Sequence, residues 1–273
     1  LLLCGNTFLS QPSEYAQATS EALAQLFLHA GFPGGVFNMV LADGASTFDG
    51  LSQALEAGLV DKVGFTGSSE VGRRLGELCA RNLQSPCLEL GGKNPLVVMR
   101  DAELDLAVEG ALFSGFGTAG QRCTSLGTVI VHERVHDEFL SRFANAVETA
   151  AIGDPFEDVL YGPMISSRFY DRFLGWLDWV QPHHVLSGSS GTGRITRDNP
   201  RAGFVGDPEA GLFVHPTIVD GVTAGDDLYK QETFGPIVGV ATFGDFDEAM
   251  ALANAEGVGV AARGFDTDGP RGA

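Results

Sequence analysis

Short apolar runs alternate with helix-length amphipathic segments along most of this chain, and glycine or proline marks many of the junctions. "VFNMV" (36–40), "KVGFT" (62–66), "CLEL" (87–90), "LVVM" (96–99), "GTVIV" (127–131), "FVHPTIV" (213–219) and "IVGVATF" (237–243) read as strands. Helical patterning fills the intervals 47–58, 69–82, 101–116, 134–151 and 245–255. A further helix opens at Pro12-Ser13, stops at Gly31 and Pro33, and sets Ala22, Leu23, Leu26, Phe27 and Ala30 on one face. A helix between two strands returns the chain to the same end of the sheet, so those strands run parallel. The pattern predicts an α/β protein of open parallel sheets with flanking helices.

At 273 residues the chain can fill one large core or two smaller ones. Gly91-Gly92 is the best break, and it divides a domain 1–90 from a domain 91–273. The formal charge is -18 with no dense Lys/Arg run, which argues against a nucleic-acid partner. No stretch approaches the roughly 20 apolar residues that span a bilayer. The cysteines, at 4, 79, 87 and 123, show no C-x-x-C spacing, a usage that fits a reducing cytoplasm. "LLLCG" has no charged start and too short an apolar run for a leader; Leu1–Leu3 reads as the end of a buried strand whose beginning is missing, so the chain reads as a fragment. The segment 186–211, rich in Gly, Ser and Asp, reads as a surface excursion, and the terminal "DTDGPRGA" as frayed.

Five short motifs could carry chemistry. "HERVH" (132–136) matches the H-E-x-x-H zinc pattern, which needs both histidines one turn apart on one helix. The β-branched "TVIV" before it puts His132 and Glu133 at a strand end, and no third ligand follows, so a zinc protease using His132 and His136 is a remote reading. "GFTGSSEVGRRL" (64–75) sets Gly67 and Gly72 at a strand-to-helix junction, where free N–H groups and the positive helix end suit a phosphate; more often such a junction is only a capped turn. "LELGGKNP" (88–95) brings Glu89 out at a strand end, where partial burial would make it a general base, or a salt bridge a structural residue. "GTAGQRCTS" (117–125) places Cys123 in a turn of small residues, with Arg122 and backbone dipoles to favour a thiolate; an inert buried cysteine is the commoner fate. "QETFGPIV" (231–238) is by itself only a turn.

Order and spacing join these motifs. Glu89 lies 17 residues after Gly72, Cys123 lies 34 residues after Glu89, and "ETFGP" comes later. In this arrangement the chain resembles the aldehyde dehydrogenase superfamily, from "GNTFLSQPSE" to "EAMALANA". The resemblance implies a partial Rossmann-like NAD-binding domain over 1–90 and a catalytic α/β domain over 91–273. It implies that Cys123 attacks an aldehyde, that hydride leaves for NAD, and that Glu89 activates the water that hydrolyses the resulting thioester. The Cys123 backbone N–H would supply half of the oxyanion hole. Gly67 and Gly72 would lie along the cofactor's phosphates, with Ser68 and Leu90 also among the cofactor contacts. Glu232 would bind the nicotinamide ribose and Phe234 would line the nicotinamide site.

Departures from the family pattern carry information too. Gln11 stands where the family usually has a lysine that binds the adenosine ribose, and Glu14 would repel a 2′-phosphate, so NAD is favoured over NADP. Full-length members are about twice as long, and the upstream part normally holds the asparagine that completes the oxyanion hole. They also form homo-oligomers. A non-catalytic remnant of such an enzyme is the alternative reading. No metal is expected.

Overall fold

The computed structural model describes residues 2–188, 191–255 and 261–265. The chain divides into two compact units, Leu1–Glu89 and Leu90–Ala273. No helix among the described residues is long and apolar enough to cross a membrane. "DTDGPRGA" lies outside the described residues.

The first unit runs β1 (Phe8–Ser10), α1 (Gln17–His29), β2 (Phe37–Met39), α2 (Gly44–Glu56), β3 (Gly64–Gly67), α3 (Ser69–Arg81) and β4 (Cys87–Leu90). β1 and β2 pair in parallel, as a crossover helix requires. Phe27 of α1 stacks on Phe37 of β2, with ring centroids 4.5 Å apart. The helical face expected from the sequence is not the packed one. Leu23 and Leu26 are 50% and 64% exposed, and α1 buries no residue fully. Two strands of three residues are narrower than the apolar stripe of the helix, so among its apolar residues only Ala24 and Phe27 are half-covered. "VFNMV" is accordingly half-buried, not buried, and Leu2–Cys4 form a 3-10 turn where a strand end was expected.

α2 starts on Asp43, whose carboxylate accepts from the Ser46 N–H at 2.8 Å; that bond holds its pKa below the usual range. α3 starts on Ser68 and buries Gly72, Leu75, Leu78 and Cys79, one stripe at helical spacing. Leu55, Val63, Leu78 and Cys79 make the small core of this unit.

The second unit runs β5 (Asn94–Val98), α4 (Leu104–Phe116), β6 (Leu126–His132), α5 (His136–Thr149), β7 (Ile152–Gly153), α6 (Ser167–Leu177), β8 (Val185–Ser187), β9 (Phe204–Val205), β10 (Thr217–Asp220), α7 (Asp227–Lys230), β11 (Ile237–Phe243), α8 (Phe246–Ala255) and β12 (Arg263–Phe265). Six strands form one sheet in the order β12-β5-β6-β11-β10-β8. All neighbours are parallel except β8, which closes one edge antiparallel to β10. β5 and β6 are buried at every position, which is why their sequences run apolar without alternation. Phe116, Phe139 and Phe143 fill the main core beside α4 and α5, and Val97, Met99, Ile130, Phe243 and Ala249 form a second cluster.

The segment 186–211 is more than a surface excursion. It contributes residues of β8, the short β9 and the fully buried Arg201 side chain. The Arg201 guanidinium donates to the carbonyls of Val147 and Glu148, at 2.6 and 3.0 Å, and so caps the C-terminal end of α5. The strand expected over 213–219 forms only from Thr217, immediately after Pro216, which has no N–H to give a ladder.

Candidate active site

Cys123 sits in the turn between α4 and β6, half-buried and unpaired with any other cysteine. Asn94, the first residue of β5, holds that turn. Its side-chain N–H₂ donates to the carbonyls of Cys123 and Ser125, both at 2.8 Å, and its carbonyl oxygen accepts from the Ala261 N–H at 2.8 Å. Asn94 is 3% exposed, so the side chain that makes these bonds is itself buried. Asn94→Ala is expected to cost about 1–3 kcal/mol of stability, read from the urea midpoint.

The approach to the cysteine is strained. Thr118 and Ala119 have φ of +57° and +55°, and Gly120 follows at +65°. Two non-glycine residues in the left-handed region cost of order 1–3 kcal/mol each and persist only where neighbours hold them. The neighbours are visible. Gln121 accepts from the Ile165 N–H at 2.9 Å and donates to the Thr118 carbonyl at 3.2 Å. A Cβ at Gly120 would overlap the Gly235 carbonyl, so this loop and the 232–236 loop touch backbone to backbone. Arg122, expected beside the thiol, is occupied elsewhere: it donates to the Phe113 carbonyl at 2.9 Å and lies over the Phe113 ring.

The second loop carries Glu232, Thr233, Phe234 and Gly235. Phe234 has φ +26° and leans on Phe169 of α6, with ring centroids 5.9 Å apart. Glu232 is seated over the Gly91–Gly92 backbone: a Cβ at Gly91 would lie 2.5 Å from its Oε1. Burial pushes the Glu232 pKa up, while the Gly92 N–H and the charges of Arg172 and Lys93 pull against that shift. Its Oε1 is buried and accepts no hydrogen bond among the described residues. Gly92, Lys93, Gly120, Arg122 and Glu232 line one crevice.

In the first unit, Gly67 ends β3 and Ser68 caps α3, its hydroxyl accepting from the Val71 N–H at 3.4 Å. Gly72 lies on the buried face of α3, one turn into the helix. Gln11 donates to the carbonyls of Pro12 and Ala42 at 2.8 and 3.0 Å, and Glu14 is exposed just before α1. Glu89 and Leu90 close β4. Glu89 is exposed, contrary to the expected partial burial, because among the described residues β4 pairs only with β3 and its even-odd alternation turns residue 89 outward.

The architecture now meets its relatives. The profile described as "Aldehyde dehydrogenase family" matches residues 1–271. The chain belongs to the aldehyde dehydrogenase family. It is 34% identical over 273 residues to a betaine aldehyde dehydrogenase of Brucella ovis, covering 99% of this chain and 53% of that protein. Among solved structures it is similar to betaine aldehyde dehydrogenase from Staphylococcus aureus in complex with NAD+, at 31% identity and TM-score 0.86, covering 96% of this chain and 50% of that one. An E. coli NADP dependent enzyme matches at 33% identity and TM-score 0.85, covering 96% of this chain and 51% of that one. The chain thus spans about half the length of the curated relatives it matches.

In this aldehyde dehydrogenase chain the histidines of "HERVH" are not one turn apart on a helix. His132 ends β6 and His136 begins α5. His132 accepts the Arg134 N–H at 3.1 Å, and its ring meets Phe243 edge-on. His136 bonds Asp220 and Asp137, each at 2.9 Å. Burial alone would lower its pKa; hydrogen bonds and charge from the two aspartates outweigh burial, and the net shift is upward. The stabilisation from that shift is complete below about pH 6.5 and fades as pH rises through the higher folded value. His136→Asn is therefore expected to flatten stability against pH in that window, measured as urea midpoints at about pH 5.5 and about pH 8.5.

Among the described residues, His183, His184 and Asp226 do bring ligand-type atoms within 4.8 Å of one another. The hydrogen bonds give this group another role. His184 Nδ1 accepts the Gln181 N–H at 3.0 Å, which leaves the ring proton on Nε2, facing Asp226. A neutral histidine so arranged has no lone pair left for a cation.

Asn94, Lys93, Gln121 and Gly120 were not singled out by motif. The available signal was the placement of Lys93 and Asn94, two polar residues at the head of the otherwise apolar β5.

Proposed function

We propose that the protein oxidises an aldehyde to a carboxylic acid, with NAD as hydride acceptor and Cys123 as nucleophile. The observation that carries this reading is the Cys123 turn, anchored by buried Asn94 on one side and by three left-handed residues on the other. That much strain and buried polar anchoring is spent on holding one thiol in one place, which is the requirement of nucleophilic catalysis.

The residues present fit a dinucleotide. Glu232 offers a buried oxygen with acceptor capacity to spare, as a ribose hydroxyl needs, and the Ser68-capped start of α3 suits a phosphate. On this reading residues 1–90 bind the cofactor, through Gly67, Ser68 and Gly72 at the phosphates, Gln11 and Glu14 at the adenosine ribose, and Leu90 beside Glu232 and Phe234 nearer the nicotinamide. When bound, NAD supplies the hydride acceptor. NAD is favoured over NADP because Gln11 brings no positive charge to a 2′-phosphate and Glu14 brings a negative one.

Residues 91–273, together with Glu89 at the end of the first domain, carry the chemistry. The Cys123 thiolate adds to the aldehyde carbonyl, and the Cys123 N–H donates to the oxygen that becomes anionic. Loss of hydride from that carbon leaves a thioester on Cys123. Glu89 takes a proton from water; the hydroxide adds to the thioester, the thiolate leaves, and the acid is released. We place the protein in the cytoplasm and expect a homo-oligomer, readings supported by the four free cysteines and by the family.

Aldehyde-dependent formation of NADH tests the reading. The exposure of Glu89 favours one second reading, a chain that binds NAD without turning over. An intact fold that binds NAD but yields no NADH with any aldehyde would select it.

A further inference from the structure

Lys93 is 2% exposed, and a buried ammonium costs several kcal/mol unless it is paired. The fold makes room for it at a visible expense. Its stem passes over Gly127 of β6, where a Cβ would come within 2.8 Å of Lys93 Cγ and Cε. A glycine inside a buried strand, next to Thr128, Val129 and Ile130, weakens that strand and packs nothing of its own. The lysine Nζ donates to Thr233 Oγ1 at 3.2 Å, and Thr233 adjoins Glu232 in the chain.

We infer that Lys93 is a positioning residue for Glu232, its buried ammonium holding the 232–233 loop and the Glu232 carboxylate in place to accept a ribose hydroxyl. This rests on the reading of Glu232 as a cofactor contact. Residues 91–93 then serve Glu232 three ways. Gly91 leaves the space for the carboxylate, Gly92 donates its N–H, and Lys93 supplies the charge.

The charge matters because the carboxylate is partly buried. Burial drives Glu232 toward its protonated form, which would trade an acceptor oxygen for a hydroxyl donor. Arg172 from α6 and Lys93 from the start of β5 are the cations opposing that change, and Arg122 lines the same crevice. Lys93 is the one of these that also anchors the loop by a side-chain bond to Thr233.

The test follows the Glu232 carboxyl directly by 13C NMR on the full chain, its resonance assigned by loss in Glu232→Gln. Lys93→Met keeps the length of the side chain and removes the charge. The Glu232 titration midpoint is expected to rise by about one pH unit, and the pH below which NAD affinity is lost to rise with it by the same amount. Thr233→Val keeps the charge and removes the anchor, and is expected to shift the midpoint in the same direction by less. A folded Lys93→Met with an unmoved midpoint overturns the inference. If Lys93→Met does not fold, an unmoved midpoint in Thr233→Val overturns it. A wild-type chain that binds no NAD would refute the proposed function, while the carboxyl titration still decides the role of Lys93.

Discussion

Cys123→Ala is expected to lower aldehyde-dependent NADH formation by roughly 10⁴-fold or more, into the background, with folding and NAD binding retained. The size of the effect follows from the role. Without the sulfur there is no covalent adduct, so hydride would have to leave a hydrated aldehyde that nothing activates. The fold should tolerate the change. The bonds that define the turn run from Asn94 to the backbone carbonyls of residues 123 and 125, not to the thiol.

On the proposed mechanism, Glu89→Gln separates the two halves of the reaction. Acylation needs no base at Glu89, so this variant is expected to release about one NADH per site in a burst and then stall as a thioester on Cys123. Rapid-mixing absorbance and the intact mass of the chain measure the two events. A variant that turns over at the wild-type rate would remove Glu89 from the mechanism. A Cys123→Ala chain that still forms NADH with aldehydes would remove the nucleophile.

How far the sequence reads ahead of the fold depends on the range of the interaction. β5, β6 and β11 were legible because strands buried on both faces must be apolar throughout, a local property. α3 was legible for the same reason, through its stripe from Gly72 to Cys79. α1 misled because periodicity reports which face could be buried, not whether anything covers it. α6 went unread: "SRFYDRFLGWL" mixes arginines among its aromatics, and only Phe173 and Trp176 are buried. At the site, Cys123 and Glu232 stood out through the order and spacing of their motifs, not through either motif alone. Asn94 reaches across 29 positions to the Cys123 carbonyl, and Lys93 across 140 to Thr233; no local pattern encodes either bond. Arg122 shows the converse, since its place beside Cys123 in sequence gave it a role that its bond to Phe113 removes.

Gly120→Ala is the strongest test of the loop-on-loop contact, and it should damage both stability and catalysis. Alanine at φ +65° is strained in any surroundings, by about 1 kcal/mol or more. Here the added methyl would also lie 2.5 Å from the Gly235 carbonyl carbon, and backbone cannot rotate away as a side chain can. One of two loops must move. If residues 118–123 shift, the Cys123 sulfur is displaced. If residues 232–236 shift, Gly235 is already hemmed in, since a Cβ there would meet Trp176 at 2.9 Å, so the movement passes to Phe234 and Glu232. Either way Cys123 moves relative to the proposed cofactor contacts, and a misplacement of about 1 Å at a reacting pair costs on the order of 10² in rate. The expected result is a loss of about 2–4 kcal/mol in the urea midpoint together with a fall of roughly 10²-fold in kcat/KM. Near-normal stability with normal kcat/KM would mean that the two loops are not in contact at Gly120, and that the strain at Thr118 and Ala119 is held by Gln121 alone.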